Sequence, residues 1–132
     1  MPVTLAQFAA ALITVFEGER LTAYKDTGGV WTNGIGNTHN VAPGSTITHE
    51  QAVADFERNQ AGLISLVDGK PICEAAALVS FGFNCGRWAM EEALKDLGEM
   101  ARPVHTTDRH GHVLPGLVAR RRLEILLTEV VP

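Results

Sequence analysis

Several things are scarce in this chain. It has only two cysteines, Cys73 and Cys85, among 132 residues. Two thiols cannot build a disulfide framework. If both lie on one continuous helix, the twelve residues of rise between them hold them about 18 Å apart, beyond bonding reach. They read as buried thiols of a protein made in a reducing compartment. Basic charge is also short: 11 Lys and Arg against 15 Asp and Glu leave a net charge of −4. That excludes strong nucleic-acid binding through a basic surface. No long hydrophobic run is present. The apolar stretch from Leu5 to Phe16 is interrupted by Gln7 and Thr14 and is too short to span a bilayer. It has neither a basic leader nor a small-residue cleavage site, so the expectation is no secretion signal and no stable membrane insertion.

What remains is a globular balance of 45% hydrophobic and 20% charged residues. A chain of this size buries about two-thirds of its unfolded surface and needs no staple. No repeat and no linker interrupts it, so one domain is expected. Thr4 is placed to cap a first helix with Leu5, Phe8, Leu12, Ile13 and Phe16 as its apolar stripe, and Gly18 to end it. Residues 22–46 read as short strands and turns punctuated by glycine. Thr48 with Gln51 fits a capping box, and Val53, Phe56, Leu63 and Leu66 mark the buried side of a second long helix ended by Asp68-Gly69. Pro71 opens the run PICEAAALVSFGFN, Gly86 breaks it, and Trp88 to Leu97 form a short successor. Residues 98–115 show no period, and a last helix, GLVARRRLEILLTEV, packs Leu117, Val118, Leu123, Ile125 and Leu126. The fold class is α+β: a small hairpin lobe at about 18–46, and a mostly helical lobe made of about 48–132 together with the N-terminal helix. A cleft between the lobes is the expected ligand site.

The chemistry gathers in FEGERLTAYKDTGGVWT. Eight residues lie between Glu17 and Asp26, and five between Asp26 and Thr32. Carboxylate spacing alone is common by chance; the added threonine and the helix-to-hairpin junction make the set selective. Glu17 stands at the negative end of the first helix dipole, which disfavours its charged form by about 0.3–1 kcal/mol. Partial burial against Phe16 is expected to add to that. A carboxyl that keeps its proton near neutrality can act as a general acid. Asp26, on a polar turn, stays ionised as a base or charge stabiliser, and Thr32 can hold a water near it. Contrasting carboxyls are what glycoside hydrolysis requires. The competing interpretation is a helix end in solvent and a turn cap. Glu19, with Arg20 beside it, is the rival acid.

These residues resemble the active-site hairpin of the phage-type lysozymes, the endolysins of glycoside hydrolase family 24. Their pattern of Glu-Gly, Leu-x-Ala-Tyr-x-Asp and Gly-x-x-Thr-x-Gly-x-Gly-x-Thr is met by Glu17-Gly18, Leu21, Ala23, Tyr24, Asp26, Gly29, Thr32, Gly34, Gly36 and Thr38. FGFNCG resembles the family's Phe-Asn-x-Gly element, and LPGLVARRRLE its closing Gly-Leu-x-x-Arg-Arg-x-x-Glu. The resemblance implies a single lysozyme-like domain over 1–132. The implied activity is muramidase hydrolysis of the β-1,4 bond between N-acetylmuramic acid and N-acetylglucosamine, for host lysis. In the implied roles Glu17 is the acid, Asp26 assists the water or stabilises the cationic sugar, and Thr32 completes the triad. Tyr24, Gly36, Asn84 and Arg121 are the implied substrate contacts. Arg120 or Arg121 is expected to approach Glu17 and lower its pKa against the burial and dipole effects. No cofactor is implied. The expected partner is the peptidoglycan glycan strand, met by a monomer that accumulates in the host cytoplasm and reaches the periplasmic wall through a holin-type pore. The chain departs from the family at Ile35 and Asn37, in RWAMEEALKDLG, and in the shortened EMARPVHTTDRHGH. The alternative function is a lysozyme-fold module that binds wall glycan without cutting it.

Other features have plainer expectations. His105, Asp108, His110 and His112 lack a fixed helical offset, so a solvated loop that charges below about pH 6.5 is expected rather than a metal site. Helical rotation turns at least one of Arg120, Arg121 and Arg122 away from any shared anion. Trp31 and Trp88 could stack on sugar rings, but core packing is expected of both.

Overall fold

A computed structural model describes residues 2–131. Helix α1 spans Leu5–Glu17, strands β1 and β2 span Arg20–Lys25 and Trp31–Gly34, and α2 spans His49–Asn59. The short α3 (Ala61–Ser65) is followed by α4 (Ile72–Cys85), α5 (Arg87–Lys95), 3₁₀ turns at Leu97–Ala101 and Pro103–His105, and α6 (Pro115–Thr128). This is the α+β class expected. The chain divides into two compact units, residues 1–62 and 63–132. In that division α1 and α2 belong with the hairpin, whereas the sequence pattern assigned both to the helical lobe.

In the first unit, α1 starts on a full capping box. Gln7 N donates to Thr4 Oγ1 at 3.1 Å and Thr4 N to Gln7 Oε1 at 3.0 Å. Thr48 and Gln51 repeat the device at the start of α2. Each cap is worth about 0.5–2 kcal/mol. The inner face of α1 is narrower than its apolar stripe: Leu12 and Ile13 are buried with Ala6, Ala9 and Ala10, while Leu5, Phe8 and Phe16 are only half-buried. Strands β1 and β2 pair antiparallel, Tyr24 opposite Thr32 and Lys25 opposite Trp31. The register shifts before Arg20 meets Gly34, which bends the ribbon. Residues 45–47 flank β1, with Ala23 N donating to Ser45 O and Ile47 N to Leu21 O, each at 2.9 Å.

In the second unit, α4 is the core. Ala75 to Gly82 are all buried, as expected of a helix apolar on every side, and α5 and α6 pack on it. Three expectations change. The long helix from Thr48 stops at Asn59 and resumes only as α3, because Gln60 leaves helical geometry (φ −104°, ψ 16°) and Gly62 is a weak helix former. Helix α6 does not bury its leucines: Leu126 is 60% exposed, while Arg120, Arg121 and Glu124 are buried. Cys73 and Cys85 are free, at opposite ends of α4, and half-buried rather than buried.

Candidate functional site

Glu17 is the last residue of α1, and Gly18 ends the helix. Gly18 sits at φ 77°, donating its N–H to Thr14 O at 2.8 Å. That conformation strains any residue with a Cβ. Glu17 is exposed, so the partial burial expected for it is absent from the unliganded protein. The rival acid is committed elsewhere. Glu19 lies with Oε2 2.7 Å and Oε1 3.0 Å from Nδ1 of His49, the first residue of α2. Among the described residues Arg20 makes no ion pair with a carboxylate; its guanidinium lies 3.8 Å from the Tyr24 ring centroid, a cation–π contact.

Asp26 and Thr32 are brought together at the hairpin turn through Val30. Asp26 Oδ1 accepts from the backbone N–H groups of Gly28 and Val30, each at 2.9 Å. Asp26 N and Thr32 Oγ1 both donate to Val30 O, each at 2.9 Å. Gly29 (φ 79°) gives the turn its left-handed residue. The turn-cap reading of Asp26 is therefore correct for one oxygen only. Oδ2 takes part in no hydrogen bond among the described residues, and Asp26 is exposed. Thr32 is buried, 4% exposed. Its hydroxyl proton is fixed on a carbonyl that can only accept, which leaves oxygen lone pairs to receive a hydrogen bond.

The four implied substrate contacts fare differently. Tyr24 is half-buried in β1 with one ring face under Arg20. Gly36 is exposed, at φ 69°, in the turn closed by reciprocal 2.9 Å bonds between Asn33 and Asn37. Asn84 is exposed near the end of α4 and lines a pocket of about 500 Å³ with Cys85, Trp88, Arg102, Val104 and Thr107. Arg121 requires correction as a glycan contact. It is 2% exposed, and its Nε and Nη2 fork onto Glu124 at 2.7 and 3.1 Å. Its Nη1 lies 2.7 Å from Cys85 Sγ and 3.3 Å from His105 O. A guanidinium so enclosed serves the fold.

Glu124, the last residue of the closing Gly-Leu-x-x-Arg-Arg-x-x-Glu run, was given no role from sequence. It is fully buried, and besides Arg121 it accepts from Ser80 Oγ at 2.5 Å and Arg120 Nε at 3.3 Å. The i,i+3 and i,i+4 spacing from Arg121 and Arg120 was legible; its partnership with Ser80, 44 residues away, had no local signal. Burial pushes the Cys85 thiol up despite the Arg121 guanidinium beside it. In the histidine loop, Asp108 Oδ1 accepts from His110 N and His112 N at 2.8 and 3.0 Å. Those bonds, the His112 one foremost, hold its carboxyl below the usual range. Among the described residues no group of three or more His, Cys, Asp or Glu could hold a metal ion. Trp88 contradicts its core expectation: it is 67% exposed.

A capped helix ending in glutamate, a two-stranded hairpin turned on an aspartate and a threonine, and a buried-core helical unit define the lysozyme-like class of mixed α+β proteins. Comparison with known proteins makes this specific. The phage lysozyme family model matches residues 14–124. An endolysin of Acyrthosiphon pisum secondary endosymbiont phage 1 is 32% identical over 95% of this chain and 97% of its own length. The SAR-endolysin of Escherichia phage P1 is 49% identical over 53 residues, a match that spans 40% of this chain and 29% of that protein. Among solved structures, the active form of the P1 phage endolysin Lyz superposes with TM-score 0.70 at 29% identity, covering 92% of this chain and 83% of that one. The muramidase domain of SpmX from Asticaccaulis excentricus gives 0.75 at 26% identity, covering 99% and 100%. The chain belongs to the phage lysozyme family. It is a glycoside hydrolase of the lysozyme type, a muramidase acting on the cell wall. No helix among the described residues is long and apolar enough to cross a membrane.

Proposed function

We propose that Glu17 is the general acid of this muramidase, Asp26 the base and Thr32 the residue that orients the water. The bond cut joins N-acetylmuramic acid to N-acetylglucosamine. Glu17 gives its proton to the departing glycosidic oxygen. A water donates one hydrogen to Asp26 Oδ2 and the other to the Thr32 hydroxyl oxygen, which leaves its lone pair for the anomeric carbon. The observation that supports this reading is the shared Val30 carbonyl, which takes both the Asp26 N–H and the Thr32 hydroxyl proton and so leaves Thr32 an acceptor.

Residues 1–132 act as a single lysozyme-like domain, a view supported by a family match that runs across both units. The protein works as a monomer, without nucleic acid. It accumulates in the host cytoplasm until lysis and then reaches peptidoglycan glycan strands in the periplasm. Tyr24, Gly36 and Asn84 remain the candidate glycan contacts. The test is clearing of outer-membrane-permeabilised Gram-negative cells. Wild type clears, whereas Glu17→Gln binds walls without clearing. Clearing that survives the substitution removes Glu17 from its role, and wall binding without clearing by wild type itself favours a non-cutting module.

A further inference from the structure

We propose that Trp88 is a sugar-stacking platform that sets affinity for the glycan strand, a role that rests on the muramidase reading above. Helix α5 turns Ala89, Met90 and Ala93 inward, and Trp88, its second residue, is left two-thirds exposed. A lone exposed apolar side chain means little. This one borders the pocket of about 500 Å³ whose other walls suit a saccharide. Asn84 Nδ2 has no hydrogen-bond partner among the described residues and can donate to an N-acetyl carbonyl. Thr107 Oγ1 donates to Pro103 O at 3.1 Å, so its lone pairs remain for a sugar hydroxyl. Arg102 holds Glu99 through Nη1 alone, which leaves its other nitrogens for ring oxygens or carboxylates. Val104 adds a second exposed apolar surface. An indole face beside an amide donor and a hydroxyl acceptor matches a pyranose ring, apolar on its faces and polar around its edge.

The contact acts on ground state and transition state alike, so its loss raises KM and leaves kcat nearly unchanged. The experiment uses the whole chain. Initial rates on soluble glycan strands are compared for wild type, Trp88→Ala and Trp88→Phe. In parallel, oligomers of N-acetylglucosamine are titrated into a Trp31→Phe background, where Trp88 is the sole tryptophan. The expected result is a KM raised roughly tenfold in Trp88→Ala with kcat held within about twofold, substantial recovery in Trp88→Phe, and a saturable change in Trp88 fluorescence. The proposal is overturned if Trp88→Ala keeps the wild-type KM, or if Trp88 emission is unmoved at oligomer concentrations that inhibit the enzyme. A saturable fluorescence change in a wild type that releases no reducing ends supports the platform while removing the muramidase reading.

Discussion

Glu124→Gln tests the least expected part of the fold. The substitution keeps the side-chain shape and removes one negative charge from a site with no solvent exposure. In the native protein that carboxylate receives Arg121 at 2.7 and 3.1 Å, Arg120 at 3.3 Å and the Ser80 hydroxyl. An amide presents an NH₂ group to guanidinium donors, so at least one of these bonds is lost and the Arg121 cation keeps no buried counter-charge. Breaking a buried pair in this way costs roughly 3–5 kcal/mol. For a chain of this length each kcal/mol lowers Tm by about 3–6 °C, which gives a fall of about 9–30 °C. Urea unfolding followed by far-ultraviolet circular dichroism measures the loss directly, with an unchanged m-value showing that both states keep their compactness. A loss below about 1 kcal/mol, the worth of an exposed ion pair, would refute the view that this network holds α6 to α4.

Other consequences are as specific. Asp26→Asn keeps an acceptor for the Gly28 and Val30 N–H groups, so stability should stay within about 0.5 kcal/mol while muramidase activity is lost. Asp26→Ala should also lower stability, by about 1–2 kcal/mol from its two broken turn bonds. In Gly82→Ala the new Cβ would meet Met90 Sδ at 2.6 Å and Met90 Cβ at 3.1 Å; overpacking between α4 and α5 should cost about 1–3 kcal/mol, read from the urea midpoint. The hydrogen bond from His105, reinforced by Arg102, holds Glu99 below its ordinary value of 4.5. A depressed carboxylate stabilises above its unfolded value and that stability is lost as pH falls through the folded one. Glu99→Gln should therefore flatten the decline of stability below pH 4.5, and an unchanged acid limb would contradict the assignment.

The parts of the fold legible in the sequence were those written locally. Thr4 and Thr48 announced two helix starts, Gly18 and Gly86 two helix ends, and the spaced glycines the hairpin. The site hairpin was legible because its residues lie within one short run, and hairpin pairing needs no distant partner. Long-range pairing was not. Nothing near Glu19 signals His49, and nothing near Glu124 signals Ser80. The pattern in α6 misled because its leucines read as the packed face, whereas Glu124 allows Arg120 and Arg121 to be buried in their place. Trp88 misled in the opposite sense: aromatic size argued for the core, but Ala89, Met90 and Ala93 already fill the inner face of α5.

The most direct measurement is of products from purified peptidoglycan, with reducing ends counted and fragments weighed by mass spectrometry, for wild type and Glu17→Gln at equal folded concentration. Wild type should release fragments ending in N-acetylmuramic acid, and Glu17→Gln should release them at least about 10²-fold more slowly, as expected for loss of a general acid. Equal rates from the two proteins would contradict the account.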